Sequence, residues 1–193
     1  MGAQPSLILA SASPRRRELL AQIGVTPARV EAPEIDETPH KGELPAPYAL
    51  RMALEKAAAI DRHEGEVVLA GDTTVALGRR ILPQAENEAQ VASFLALLSG
   101  RRHKVHSAVA VIGEDGTVRH RLASSVVRFK HLSRDEIADY AASGEGIGKA
   151  GGYAIQGRAA GLIDFVSGSY SGVVGLPLYE TRALLKAAGL DLG

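Results

Sequence analysis

The sequence of 193 residues contains no cysteine and no tryptophan, and aromatic residues make up only 4% of it. Without cysteine, the chain cannot form disulfides, thiolate zinc sites or a cysteine nucleophile. Because aromatic side chains are scarce, Leu, Val, Ile and Ala must build the core, and few rings are left on which nucleic-acid bases could stack.

Net charge and long apolar runs are missing too. Lys plus Arg number 22 and Asp plus Glu number 22. A general nucleic-acid binder needs a basic surface, so we expect no nucleic-acid partner. No apolar run approaches the roughly 20 residues of a membrane helix, and the N-terminus lacks the basic segment of a signal peptide. We therefore expect a cytoplasmic protein without a membrane partner, whose length suits one domain or two small lobes sharing a core.

The most informative stretch is residues 7–23, LILASASPRRRELLAQI. Its first four residues form an apolar run without polar partners, which predicts a strand buried on both faces. Small residues follow, where the backbone can approach a ligand closely. Ser13 is then suited to be the N-cap of a helix and Pro14 its first residue.

Three arginines, Arg15, Arg16 and Arg17, occupy the first turn of that predicted helix. The positive end of a helix and its free N–H groups favour anions rather than cations. A bound anion would relieve this conflict, so the stretch predicts a phosphate site. The alternative is a solvated basic turn on an ordinary helix.

Residues 31–47, EAPEIDETPHKGELPAP, predict a loop that contains Glu34, Asp36 and Glu37. This loop is either a solvated acidic segment or the source of a carboxylate for a metal or substrate. A helix is predicted next, over residues 48–60. Lys56 falls inside its apolar arc, so this lysine either extends to the surface or points into a cleft to meet an anion.

The second informative stretch is residues 67–77, VVLAGDTTVAL. Its apolar start predicts a buried strand over residues 67–70, which ends at Gly71 and Asp72. In open α/β sheets, ligands bind at the carboxyl ends of such strands. Asp72 is therefore a candidate general base or Mg²⁺ ligand, and the alternative is an aspartate that caps a turn.

The rest of the chain alternates helices and strands. Asn87 with Gln90, and Ser133 with Glu136, are spaced as capping boxes that begin helices. A glycine-dense segment, residues 144–161, matches neither a Walker loop nor a Rossmann fingerprint. The remaining predicted elements are a helix over 87–98, strands over 103–112, 117–129 and 161–167, a helix ending at Gly144, and a last helix that follows Pro177 and runs to Ala188.

Five stretches in this order resemble the Maf family of nucleoside triphosphate pyrophosphatases: LILASASPRR, LAGDTTV, LSGRRH, KAGGYAIQG and VGLP. The resemblance runs from Leu7 to about Leu185. It implies one Maf-like domain over residues 1–193, with an α/β fold similar to that of inosine triphosphate pyrophosphatase. In this fold a mixed, strongly bent sheet is flanked by helices, and a nucleotide cleft lies between two lobes. It also implies a homodimer and a divalent metal cation, Mg²⁺ or Mn²⁺.

The resemblance also implies roles for individual residues. Asp72 corresponds to the family's catalytic aspartate, and with Glu37 it would hold the metal. Base specificity would depend on Arg15, Thr73 and Gln156. The triphosphate would be bound by Ser11, Ser13, Arg15, Arg16, Lys56 and Lys149.

The chain departs from the family pattern at Gln84, where a lysine is frequent, at Gly148, where an aspartate is frequent, and at Gly172, where a polar residue is frequent. The first departure removes a cation. The residues at the three specificity positions favour dTTP and UTP, which would be hydrolysed to the monophosphate and pyrophosphate. The alternatives are a 7-methyl-GTP pyrophosphatase of the same family and a non-catalytic nucleotide-binding regulator of cell division.

Overall fold

A seven-stranded mixed sheet forms the centre of the computed structural model, which describes residues 4–193. The strands are β1 (Ser6–Ala10), β2 (Arg29–Glu31), β3 (Glu66–Leu77), β4 (Arg80–Leu82), β5 (Arg102–Ile112), β6 (Val118–Phe129) and β7 (Ile163–Ser167). The helices are α1 (Pro14–Gln22), α2 (Pro45–Ala58), α3 (Glu88–Leu98), α4 (Arg134–Ala142), α5 (Tyr170–Val174) and α6 (Leu178–Ala187), and a 3₁₀ turn spans Arg158–Leu162. The predicted α/β class is confirmed. No helix in residues 4–193 is long and apolar enough to cross a membrane. The prediction that the N-terminus is not a signal peptide rests partly on residues 1–3, which lie outside the described range.

The sheet has the order β2-β1-β3-β5-β6-β7, with β4 also paired to β3. Strand β1 is parallel to β2 and β3, and the other pairs are antiparallel. One edge of β3 has two different neighbours, because residues 66–70 pair with β1 and residues 75–77 pair with β4. In the described part of the chain, residues 71–74 therefore have no strand beside them on that edge, and we call this interval the β3 gap.

The prediction that this strand ends at Ala70 is wrong, because β3 continues to Leu77 and Asp72 lies inside it. Two causes extend the strand. On its other edge β5 keeps pairing with it, and Asp72 lies opposite Ala108. The residues after Asp72 are two threonines and a valine, whose branched side chains favour extended backbone. The feature that ends near Ala70 is the pairing with β1.

Apolar side chains form separate cores on the two sides of the β3 gap. Around β1 and the first half of β3, helices α1 and α6 cover one face of the sheet and α2 covers the other. Beyond the gap, Val75 of β3 belongs to a different cluster, which contains Leu95 of α3, Phe129 of β6 and Tyr140 of α4. The sheet thus joins two lobes, and the β3 gap lies between them. The assignment of residues 1–193 to one domain stays a prediction.

The helix boundaries follow their capping residues. Helix α1 begins at Pro14 with Ser13 at the N-cap, as predicted. Helix α2 begins at Pro45 rather than at Tyr48. A proline fits the first helical turn because the backbone N–H that it lacks would have no partner within the helix there. Helix α2 then ends at Ala58, two residues before the predicted end.

The two predicted capping boxes differ. Ser133 and Glu136 form both reciprocal hydrogen bonds, so that box is confirmed. In the other, Asn87 accepts from the backbone N–H of Gln90, but the Gln90 side chain accepts from the N–H of Glu86. Only half of this predicted box forms, because the glutamine side chain reaches one residue past the N-cap.

The second core encloses a histidine. His103 is 2% exposed, and its Nε2 lies 2.8 Å from the hydroxyl of Tyr153. The His103 ring also stacks on Phe129, with the ring centroids 6.0 Å apart. Burial lowers the pKa of His103 to about 4, so the imidazole is neutral at pH 7.

This neutral histidine predicts a loss of stability in mild acid. Below pH 6.5 the unfolded chain binds a proton at His103, whereas the folded chain does not until about pH 4. The free energy of unfolding should therefore fall as the pH falls, by about 2 kcal/mol between pH 6.5 and pH 5. Urea unfolding at several pH values measures this slope. In His103→Gln the slope over that window should be clearly shallower, and equal slopes would contradict the prediction.

Candidate active site

A lysine between two carboxylates occupies the β3 gap. The Lys56 ammonium of α2 lies 3.0 Å from Asp72 Oδ1 and 3.1 Å from Glu37 Oε1. Lys56 is 8% exposed and Asp72 is 7% exposed. Lys56 therefore does not extend to the surface, and Asp72 does not cap a turn. The three residues predicted from separate stretches converge at one point.

A further residue, Thr74, holds the second oxygen of Asp72. Its hydroxyl donates to Asp72 Oδ2 at 2.8 Å, and Thr74 is buried. Each carboxylate oxygen of Asp72 thus accepts one hydrogen bond, from Lys56 or from Thr74. Thr74 is not among the site residues predicted from the sequence. The period of two along a strand, which places residues 72 and 74 on one face, would have indicated it.

The acidic loop is tied to α2 near Glu37. The Tyr48 hydroxyl donates to the backbone carbonyl of Glu37 at 2.8 Å, and Arg51 donates to the carbonyl of Thr38 at 3.1 Å. Burial raises the pKa of Tyr48 to about 12, and the charges of Asp72 and Glu37 add to this effect. The Tyr48 hydroxyl therefore keeps its proton and remains a donor to the loop.

Two other acidic residues that the sequence analysis named in this loop, Glu34 and Asp36, are exposed and line none of the cavities of the cleft. The solvated alternative thus describes these two residues, and Glu37 alone supplies a carboxylate to the cleft.

The guanidinium of Arg16 joins the first predicted phosphate motif to the last motif of the chain. It donates to the carbonyl of Gly175 at 2.8 Å and to Ser11 Oγ at 3.0 Å, and a third nitrogen lies 3.5 Å from Thr73 Oγ1. Burial lowers the pKa of Arg16, and the nearby Asp72 opposes this shift. Much of the hydrogen-bonding capacity of Arg16 is therefore used within the protein.

Three other predicted phosphate ligands have polar groups that are largely unengaged. Within residues 4–193, Arg15 makes no hydrogen bond or ion pair, and Ser13 forms no side-chain cap on α1. The Lys149 ammonium has only a long contact, 3.4 Å, to the carbonyl of Ile147. Burial lowers the pKa of Arg15 and of Lys149, and for Lys149 the neighbouring charge of Arg15 adds to the effect. These side chains can accept a polyanion without breaking a strong contact.

The cleft consists of three adjoining cavities, with volumes of about 100, 430 and 320 Å³. The smallest contains both Thr73 and Gln156 in its wall, together with Asp72 and Lys56. Ser13 lines the smallest cavity too. The second adds Glu37 and Tyr48 beside Asp72, and the third adds Ser11 beside Ser13 and Lys56. All the predicted site residues therefore line a single cleft.

The three departures from the family pattern lie at different distances from this cleft. Gln84 lines all three cavities, so a neutral amide stands in the wall where the family often has a cation. Gly148 lines two of them. Gly172 lines none, and its carbonyl accepts a hydrogen bond from Ser107 Oγ at 2.6 Å.

The carboxylates of Asp72 and Glu37 suit a divalent cation that is bound partly by the protein and partly by the substrate. Among residues 4–193 no three acidic or histidine side chains converge, so the protein alone offers no complete metal cage. Mg²⁺ commonly binds through one or two carboxylates, several waters and substrate phosphates. Asp72 and Glu37, which meet at Lys56, provide such a carboxylate pair.

A family model and several curated proteins match nearly the whole chain. Residues 6–188 match the family model described as Maf-like protein. The dTTP/UTP pyrophosphatase of Sphingopyxis alaskensis is 62% identical over 98% of this chain and 100% of its own. That of Caulobacter vibrioides is 57% identical over 98% of each. A nucleoside-triphosphatase / dITP/XTP pyrophosphatase structure from Mycobacterium abscessus matches with a TM-score of 0.43 and 20% identity, over 66% of this chain and 75% of that one.

Proposed function

The chain belongs to the Maf family, and from this premise we propose that it hydrolyses dTTP and UTP to the nucleoside monophosphate and pyrophosphate. The names of relatives that are 62% identical over nearly the whole length support this substrate pair. One structural observation carries the proposal. A buried aspartate, held by Lys56 and Thr74, faces a cleft whose wall also contains Arg15, Lys149 and Gln156.

In the proposed reaction the triphosphate lies along the cationic wall of the cleft. Arg15, Lys149 and Ser13 bind its oxygens with their largely unengaged groups, while Arg16 and Ser11 hold the wall in place beside them. Asp72 orients a water molecule or removes its proton, and this water attacks the α-phosphorus. The bond from the α-phosphorus to the oxygen that bridges it to the β-phosphorus breaks, and pyrophosphate leaves with that oxygen. Phosphoryl transfer depends mainly on positioning and on stabilisation of the developing charge, which the lysines and arginines supply.

A divalent cation, Mg²⁺ or Mn²⁺, belongs to this proposal. Asp72 and Glu37 would hold it, and when bound it neutralises charge on the phosphates. Lys56 contacts both carboxylates. It therefore keeps Asp72 and Glu37 at one place, where they would otherwise repel each other.

Base recognition is assigned to the cavity that contains Thr73 and Gln156. The Gln156 amide offers one acceptor and two donors, which suits the N3–H and the flanking carbonyls of uracil or thymine. A 7-methylguanine base carries a positive charge and would be repelled by Arg15. The amide of Gln156 also stands where a carboxylate would be needed to accept the N1–H and N2–H₂ donors of that base.

This assignment predicts a ranking of substrates. At equal Mg²⁺, kcat/KM should be highest for dTTP and UTP and at least about tenfold lower for 7-methyl-GTP, whose donors find no carboxylate. Release of pyrophosphate from dTTP, UTP, CTP and 7-methyl-GTP measures it, with identification of the monophosphate as the second product. A preference for 7-methyl-GTP would overturn the choice of substrate and leave the pyrophosphatase activity standing. Binding of nucleotide without release of pyrophosphate would favour a regulator.

The proposal extends to a homodimer in the cytoplasm. The family resemblance supports the dimer. The absence of cysteine from the sequence suits a reducing compartment, where disulfides do not form.

A further inference from the structure

Gln156 itself makes no hydrogen bond with residues 4–193, but the backbone on both sides of it is held. The segment that contains it, residues 153–157, runs from the second core to the 3₁₀ turn that begins at Arg158. Gln156 is exposed, whereas Tyr153, Ala154 and Ile155 before it are buried. The amide is therefore free for a ligand, and its position depends on the backbone that carries it.

A single carboxylate, that of Glu145, secures the far side of this segment. Its Oε2 accepts the backbone N–H of Arg158 at 2.9 Å, and its Oε1 lies 3.4 Å from that of Ala159. Both N–H groups begin the 3₁₀ turn and have no partner within it. A Cβ on Gly157 would lie 2.3 Å from Glu145 Oε2, so only glycine lets the chain pass this close to the carboxylate.

The near side is secured by the same carboxylate through a tyrosine. The hydroxyl of Tyr140, on α4, donates to Glu145 Oε1 at 2.8 Å and accepts the backbone N–H of Ala154 at 3.1 Å. Tyr140 is 3% exposed. Glu145 and Tyr140 thus bind the backbone two residues before Gln156 and two residues after it.

We infer that Glu145 and Tyr140 are positioning residues for base recognition, which fix the Gln156 backbone so that its amide meets the pyrimidine. This inference rests on the proposed function. Substitution of Glu145 or Tyr140 should therefore weaken binding of the base and should not weaken binding of the phosphates. Asp72, Lys56 and Arg15 lie on β3, α2 and α1 and, within residues 4–193, make no hydrogen bond or ion pair with either residue. Lys149 lies nearer: burial lowers its pKa, and the charge of Glu145 partly opposes that shift.

The test separates these two parts of the substrate. In Glu145→Gln one of the two acceptor oxygens becomes an N–H₂ donor, so in either orientation of the amide a backbone N–H, that of Arg158 or that of Ala159, loses its acceptor and the segment shifts. We expect KM for dTTP to rise about tenfold with kcat within about twofold, because the lost positioning affects a hydrogen-bonded base. Inorganic triphosphate, which has phosphates and no base, should inhibit competitively with a Ki no more than about twofold above the wild-type value, since loss of the Glu145 charge near Lys149 can only favour an anion.

Glu136→Gln is the matched control, because it removes a carboxylate of the capping box that begins α4, the helix that carries Tyr140, and Glu136 makes no hydrogen bond to residues 153–157. It should lower the melting temperature and leave both constants unchanged. Should Glu145→Gln fail to fold, Tyr140→Phe provides the same readout, since it deprives the Ala154 N–H of its acceptor. In the unaltered protein, slow hydrogen exchange at Ala154 and Arg158 is also expected, and exchange at the rate of an open loop would count against the inference.

An unchanged KM for dTTP in the folded variant would overturn the inference, as would a Ki for inorganic triphosphate that rises in step with KM. Both results leave the proposed function intact. Failure of the wild-type protein to release pyrophosphate from dTTP would overturn the proposed function and this inference together. Because the wild-type protein is assayed before any variant, this outcome is distinguished from the other two.

Discussion

Replacement of Asp72 by asparagine is expected to lower the turnover of dTTP by about 10²–10⁴-fold, the usual contribution of general-base catalysis. The fold should survive the change. The asparagine oxygen can accept from Lys56, and its N–H₂ can donate to Thr74, because a hydroxyl both donates and accepts. Lys56 also keeps Glu37 as a carboxylate partner. The change thus removes the proton acceptor and one of the two carboxylates proposed to hold the divalent cation, and it leaves the packing around residue 72 in place.

The measurement is single-substrate kinetics of pyrophosphate release, with unfolding monitored in parallel. Asp164→Asn is the matched control, because the Asp164 carboxylate pairs with Arg128 on β6 and lines no cavity of the cleft. It should retain wild-type turnover. If well-folded Asp72→Asn protein turns over dTTP within about threefold of the wild-type rate, Asp72 is not the base.

The second large effect is expected at Lys56. Lys56→Met keeps most of the packing of the side chain and removes the ammonium between Asp72 and Glu37. Removal of one partner from a buried ion pair costs about 3–5 kcal/mol. We therefore expect a loss of stability toward the low end of that range, since Glu37 is partly exposed. Lys56 is also a predicted phosphate ligand and lines two of the cavities beside Arg15 and Lys149. Loss of a charged hydrogen bond to phosphate should therefore weaken substrate binding by about 1–3 kcal/mol as well.

Urea unfolding and kcat/KM for dTTP test the two parts of this prediction separately. Arg128→Met removes a cation that is paired with a carboxylate outside the cleft, so it should leave kcat/KM unchanged. A Lys56→Met variant that is more stable than the wild type and equally active would mean that the lysine has no role in the cleft. A double variant with Asp72→Asn would give the coupling energy between the two residues.

The local patterns of the sequence predicted the elements of the site well. The apolar run before Ser11 and the proline after Ser13 gave the strand and helix of the first motif, because burial and capping act over a few residues. The helical wheel identified Lys56, because a cation inside an apolar arc needs a partner that only a fold can supply. The family resemblance provided the roles, and these stay predictions.

Contacts between distant segments could not be predicted in this way. Arg16 is 159 residues from Gly175, and Glu145 is 14 residues from Ala159. No periodicity relates such positions. In the sequence, a glutamate within a glycine-rich segment cannot be distinguished from a glutamate that is exposed to solvent. The length of β3 was underestimated for a related reason. Its second half is stabilised by β5, a strand that begins some 25 residues later in the chain.

The β3 gap has a consequence for the motions open to the cleft. Proteins with two lobes commonly close on a ligand by a hinge in the segments that join them. Here the lobes are joined by β3 and β5, which remain paired from Val68 to Ala76 without interruption. A hinge at Asp72 would break that ladder, so we expect the two lobes to move as one body. Closure over a nucleotide would then fall to the acidic loop at the rim, residues 32–44.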